Sequence, residues 1–187
     1  RSTLFPYTTL FRSGSAYGLG LDTYEGQRAK TIEERIRLLK PELVLDFHTT
    51  TAEQPDLLIT ADRNNEVVQR FINASAIKDN LVVSPLNDIT TVAQNFVAYE
   101  VSNSRLNDDL YEQICTDIER YLDGKMIDQE RTFYKMIGKI LPEEEKSIDG
   151  LENFVYNDEL QAIPSFLGSK AYKQDGTYAG FKLEKLV

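Results

Sequence analysis

From Thr23 to Lys40 the apolar residues Ala29, Ile32, Ile36 and Leu39 recur at spacings of three and four, with Glu25, Glu33, Glu34, Arg35 and Arg37 between them. That period predicts an amphipathic helix. Pro41 lies just beyond it, and Leu43, Val44, Leu45 and Phe47 then form a nearly continuous apolar run, the pattern of a strand buried on both faces. Leu57 to Thr60 reads as a second short strand, and Asn64 to Lys78 returns to helical period through Val67, Val68, Phe71, Ile72 and Ala76. Further strands are predicted at Leu81 to Ser84 and Asn95 to Val101. A long helix over Leu106 to Leu122 places Leu106, Leu110, Ile114, Ile118 and Tyr121 on one stripe and stops at Gly124. Strands alternating with helices predict an α/β domain with a mostly parallel sheet flanked by helices.

After Gly124 the pattern changes. Glu143, Glu144, Glu145 and Lys146 form a charge run that reads as a solvated loop, and Asn153 to Tyr156 and Tyr178 to Leu183 are short apolar runs between turn residues. The expected organisation is an α/β domain over residues 14–125 followed by a small β-rich C-terminal domain over 126–187. Residues 1–13 stand apart. Thr3 to Ser13, TLFPYTTLFRS, reads like the in-frame translation of a sequencing adapter, with Arg1 and Ser2 as more of the same. Such scars are excluded from fold reasoning, and the authentic sequence is expected to start near Gly14, cut from a longer gene.

Composition narrows the function. The chain has 187 residues, with 30 acidic against 21 basic side chains and a formal charge of −9. Nonspecific nucleic-acid binding needs clustered Lys and Arg, so a nucleic-acid partner is not expected. No stretch has the ~20 apolar residues of a membrane span. The single Cys115 cannot form an internal disulfide, which fits a reducing, cytoplasmic setting. With one His and one Cys, any metal site draws its remaining ligands from carboxylates, water or residues outside this chain.

The stretch LVLDFHTTT, residues 43–51, is the most informative. An apolar strand running into Asp46-Phe47-His48 sets polar groups at the carboxyl end of a sheet strand, where open α/β folds bind ligands. Alternation points Asp46 and His48 to the same side. A carboxylate there can fix one imidazole nitrogen and leave the other for a metal, although a lone His at a strand end is more often structural. Glu100 interrupts the apolar run Phe96-Val97-Ala98-Tyr99 before Val101. If buried, it needs a partner or a raised pKa, which suits a general base; on an edge strand it would simply face water. Thr49, Thr50 and Thr51 suit either a turn bonded to its own backbone, the commoner role, or the holding of a substrate carboxylate. Ser102 and Ser104 have no second His to activate them, Cys115 falls on the apolar side of its helix, and Gly18-Leu19-Gly20 does not extend to a dinucleotide fingerprint.

Taken in order, Tyr24-Glu25, Arg28-Ala29, LVLDFHTTT, Arg63-Asn64-Asn65 and AYEVS at Glu100 resemble the aspartoacylase and succinylglutamate desuccinylase family, which has the zinc carboxypeptidase fold. FYKMIGKILP, Ala171-Tyr172 and Tyr178-Ala179-Gly180 resemble its C-terminal β domain more loosely. The resemblance implies zinc-dependent hydrolysis of an N-acyl amino acid, a small-molecule partner, with one Zn2+ per intact protein. It implies that His48 is a zinc ligand oriented by Asp46, that Glu100 moves the proton between the attacking water and the leaving amine, and that Tyr172 and Thr49 contact substrate. In the family an H-x-x-E motif supplies two more zinc ligands and an Asn-Arg motif clamps the substrate carboxylate. Both lie upstream of the position matching residue 14, so the 187-residue chain is expected to be inactive. Thr90 and Thr91 stand where aspartoacylases carry an arginine, which leaves the acyl group and amino acid open. A zinc carboxypeptidase and a non-catalytic ligand-binding α/β domain are the alternatives, and a homo-oligomer is possible on either. The hydrolase requires that His48 and Glu100 share one cleft with Asp46 bonded to the imidazole, and loss of upstream strands predicts an exposed strand edge.

Overall fold

In the computed structural model, the structure describes residues 23–83, 92–170 and 178–186. The expectations for residues 1–13, Gly18-Leu19-Gly20, Thr90, Thr91 and Tyr172 lie outside them. Helix α1 (Tyr24–Leu39) opens on a Thr23 N-cap whose hydroxyl accepts from Gly26 N, and ends at Lys40 in the left-handed conformation. Ile32 and Ile36 are half-buried, as the stripe requires, but Leu39 is 70% exposed. Strands β1 (Val44–Thr50) and β2 (Leu57–Thr60) follow, then α2 (Glu66–Ala74), β3 (Asp79–Val82), β4 (Phe96–Ser102) and α3 (Asp108–Leu122). Helix α2 is shorter than its sequence period because Asn65 caps it, its side chain accepting from Val67 N and Val68 N, and the chain leaves helical geometry at Ser75. Likewise Asn107 caps α3, so Leu106 stands outside it, 58% exposed.

The remaining elements are β5 (Thr132–Ile140), α4 (Pro142–Ser147), β6 (Ile163–Ser165) and β7 (Gly180–Leu186). Two local expectations need correction. The charge run at Glu143–Lys146 is not a loop but the body of α4, with Pro142 in its first turn and Glu144 accepting from Leu141 N at 2.9 Å. Asn153 to Tyr156 is not a strand. Phe154 takes φ +64°, and Asn153 binds the backbone of Leu167 through both ends of its amide.

The seven strands of the described residues form one mixed sheet in the order β1-β4-β2-β3-β5-β7-β6. Pairs β1–β4, β2–β3 and β3–β5 are parallel; β2–β4, β5–β7 and β6–β7 are antiparallel. The C-terminal strands thus extend the same sheet through β3–β5, with no break near residue 126. Strand β1 ends the sheet on the other side, so one of its edges has no strand partner among the described residues.

Alternation divides the core. Leu58, Val97, Tyr99 and the half-buried Leu45 and Phe47 face α2 and α3, where Val68, Phe71, Ile72, Ile114 and Ile118 cover them. Leu57, Ile59, Leu81, Phe96 and Ala98 face the other way and are covered by C-terminal residues, including Phe154, Phe166 and Tyr178. At the far end of the sheet β6 crosses β7 so closely that a Cβ on Gly180 would stand 2.6 Å from the Ser165 carbonyl oxygen. Backbone cannot yield as a side chain can, so Gly180→Ala is expected to cost about 1–3 kcal/mol, read from the urea midpoint. An unchanged midpoint would contradict this packing.

Candidate active site

Strands β1 and β4 run parallel and in register, Val44 opposite Phe96 through Thr50 opposite Ser102, which sets His48 directly beside Glu100. Neighbours paired this way point to one face, and Asp46, two residues before His48, joins them. The three groups therefore gather on one face near the carboxyl ends of two parallel strands. Asp46 Oδ2 lies 2.5 Å from His48 Nε2, while its Oδ1 accepts from Phe47 N at 2.9 Å. An ionised carboxylate can only accept, so Nε2 carries the proton and the neutral ring has its lone pair on Nδ1. One pleat behind, the Phe47 ring stacks on Tyr99 at 5.1 Å, and Tyr99 donates at 3.0 Å to the buried carboxylate of Asp117. The site thus rests on a packed layer that holds β1 against β4.

Burial sets its electrostatics. His48 is 7% and Glu100 8% exposed. Desolvation pushes the Glu100 carboxyl up to about 7, with the Asp46 charge adding to the rise and His48 opposing it. For His48 burial acts downward, but the Asp46 hydrogen bond and the charges of Asp46 and Glu100 outweigh it and hold the imidazole above its ordinary value. The folded state therefore keeps protons that the unfolded chain gives up. Stability contributed by Glu100 is fully present below its unfolded pKa near 4.5 and is lost as pH rises through about 7, and His48 acts in the same direction above 6.5. Metal-free protein is expected to lose on the order of 3 kcal/mol between pH 5 and pH 8 from Glu100, and Glu100→Gln should flatten that slope. Urea unfolding across this range is the check. A slope shared by wild type and variant would contradict the assignment.

The threonines divide by the same alternation. Thr49 is exposed and points to the face opposite His48, so the structure does not bring this candidate substrate contact to the site. Thr50 is buried on the His48 side, where its hydroxyl accepts from Ala52 N at 3.1 Å and forms a turn. Thr51 accepts from Lys170 N at 2.8 Å. Ser102 and Ser104 are 2.9 Å apart at Oγ, and Ser104 donates to Glu53 Oε2 at 3.2 Å rather than to an imidazole. Cys115 sits half-buried on α3.

Asp117 does not stand out in the sequence, yet it is fully buried and accepts from Ser75 Oγ at 2.7 Å, Ala76 N at 2.9 Å, Tyr99 and Arg120 Nη1 at 3.3 Å. One signal could have found it: positions 114, 117, 118 and 121 form an i, i+3, i+4, i+7 face, with a carboxylate at the second.

The zinc that the resemblance implies needs three protein ligands at a catalytic site. Among the described residues no group of three or more His, Cys, Asp or Glu side chains is placed to hold an ion. His48 is the chain's only imidazole. The described residues alone do not fit a complete zinc site.

No family model matches the chain, and no curated protein matches it in sequence. Solved structures do match its fold. Murine aminoacylase 3 superposes with a TM-score of 0.61 at 18% identity, over 88% of this chain and 71% of that one. Succinylglutamate desuccinylase from Chromobacterium violaceum gives 0.62 at 14% identity, over 100% of this chain and 69% of that one. The desuccinylase from Vibrio parahaemolyticus gives 0.57 at 11% identity, over 88% and 62%. The chain has the α/β fold of aminoacylase 3 and the succinylglutamate desuccinylases, the fold implied by the resemblance at LVLDFHTTT and AYEVS.

Proposed function

We propose that His48, Asp46 and Glu100 belong to the catalytic centre of an amidohydrolase that removes the acyl group from N-acyl amino acids. The observation that carries this is the in-register placement of His48 and Glu100 on one face, with Asp46 bonded to the imidazole. The fold shared with an aminoacylase and two desuccinylases supports the substrate class. Glu100 is the acid–base residue. A carboxyl with a pKa of about 7 is ionised often enough near neutral pH to take a proton from water, and holds it weakly enough to deliver it to the leaving amine nitrogen. Asp46 fixes the ring of His48 and its tautomer. Zinc dependence belongs to the proposal through His48 as one ligand, the others lying outside the described residues.

The test is release of free amino acid from a panel of N-acyl amino acids by the protein with its natural sequence upstream of Gly14 restored in place of residues 1–13, with and without chelator. Hydrolysis that chelation abolishes supports the proposal. Ligand binding that is indifferent to chelator, with no hydrolysis, would make this a non-catalytic binding domain instead.

A further inference from the structure

The loop joining β1 to β2 leaves the sheet at the carboxyl end of β1, just past His48. The C-terminal segment grips it at several points. Lys170 N donates to Thr51 Oγ1, Asn153 Nδ2 donates to the Glu53 carbonyl at 3.0 Å, and Phe166 N donates to Gln54 Oε1 at 2.8 Å. Phe166 takes φ +59°, a costly conformation for a residue with a Cβ, and its ring joins the cluster of Leu57 and Ala98. Leu57 is the register partner of Glu100 on β2. The Gln54 side chain therefore meets the segment whose Phe166 ring packs on the face that carries His48 and Glu100.

The orientation of its amide is settled by chemistry. Phe166 N can only donate, so the atom that meets it is the carbonyl oxygen, and the NH2 group is the end turned away. That Nε2 is buried and has no acceptor. An amide donor shut away from water without a partner costs stability, so a native structure that keeps one has a use for it. Asp56 Oδ1 is the loop's other buried atom without a partner, but Asp56 already meets Arg105 through Oδ2 at 3.3 Å.

We propose that Gln54 is a substrate-binding residue, whose Nε2 donates to a carboxylate oxygen of the N-acyl amino acid while Oε1 holds Phe166; this rests on the hydrolase reading for the identity of the ligand. A buried N–H gains most from an ionised acceptor, and the amino-acid half of the substrate always carries one.

Two substitutions separate donor from latch. Gln54→Glu keeps an acceptor for Phe166 N but removes the donor, and Gln54→Met removes both. Calorimetric titration of the 187-residue chain with N-acetyl-L-alanine and with N-acetyl-L-alaninamide reads the effect. Wild type is expected to bind the acid, with both variants weakening that binding by about tenfold or more and changing amide binding by less than about threefold. Gln54→Glu should also melt closer to wild type than Gln54→Met does. Unchanged acid affinity in Gln54→Glu, equal losses for acid and amide, or no binding of the acid by wild type would each overturn the proposal. If acid binding depends on Gln54 but the protein with its upstream sequence restored hydrolyses no N-acyl amino acid, the site binds and the hydrolase reading falls. Hydrolysis by that restored protein that is indifferent to Gln54 keeps the hydrolase and removes Gln54 from its substrate site.

Discussion

Replacing Glu100 by glutamine is expected to lower the hydrolysis of N-acyl amino acids by about a hundred- to ten-thousand-fold, with the loss in kcat and little change in KM. Glutamine has the size of glutamate, so the packing around position 100, between its register partners His48 on β1 and Leu57 on β2, is kept. It cannot ionise, so water loses its proton acceptor and the leaving amine its donor. Ground-state binding does not need that proton, which is why KM should hold. The same change removes a buried charge near Asp46, so the variant should be at least as stable as wild type above pH 7. Loss of activity therefore cannot be put down to unfolding. Steady-state kinetics on the upstream-extended protein, alongside thermal melts, is the measurement. A variant that keeps wild-type kcat would remove Glu100 from the chemistry.

The second large effect is structural. Asp117→Ala is expected to destabilise the protein by about 3–5 kcal/mol, because it strands donors from three places at once. Ser75 and Ala76 at the end of α2, Tyr99 on β4 and Arg120 on α3 all converge on this one carboxylate. At about 2–4 °C per kcal/mol for a domain of this size, the melting temperature should fall by about 10 °C. Asp117→Asn keeps one acceptor and should fall between. The damage should also reach the site, since Tyr99 stacks on Phe47 in the layer directly behind His48 and Glu100. A loss below about 1 kcal/mol by urea unfolding would show that these donors find water instead.

Much of the site was legible in the sequence because its signals are local. An apolar strand that ends in Asp46-Phe47-His48, and a carboxylate inside an otherwise apolar strand at Glu100, are each anomalies that a short window exposes. Their register across β1 and β4 is not local, and neither pattern contains it. Alternation already implied that Thr50 rather than Thr49 joins Asp46 and His48, and the structure follows that rule. In the C-terminal third the signals were weaker. Pro142 at a helix start with Glu144 two residues on was a readable α4, masked by an acidic density that suits a solvated loop equally well. The apolar run Phe154-Val155-Tyr156 carries strand composition, but the amide of Asn153 reaching Leu167 and the left-handed Phe154 are tertiary facts. The joining of β5 to β3 spans about fifty residues, so no local pattern distinguishes a continued sheet from a separate β domain. Gln54 has no sequence signal at all; its oriented, unpartnered amide exists only once Phe166 is folded against it.

The claim that His48 and Glu100 form a metal-assisted amide-hydrolysing centre is tested most directly by zinc stoichiometry and N-acyl amino acid turnover, measured on the 187-residue chain and on the protein extended upstream of Gly14 by its natural sequence. The proposed function predicts one zinc per chain with turnover in the extended protein, and little of either in the shorter one, where His48 stands as the only imidazole. An extended protein that binds no zinc and releases no amino acid from any N-acyl substrate would contradict it, leaving a shared fold without the shared chemistry.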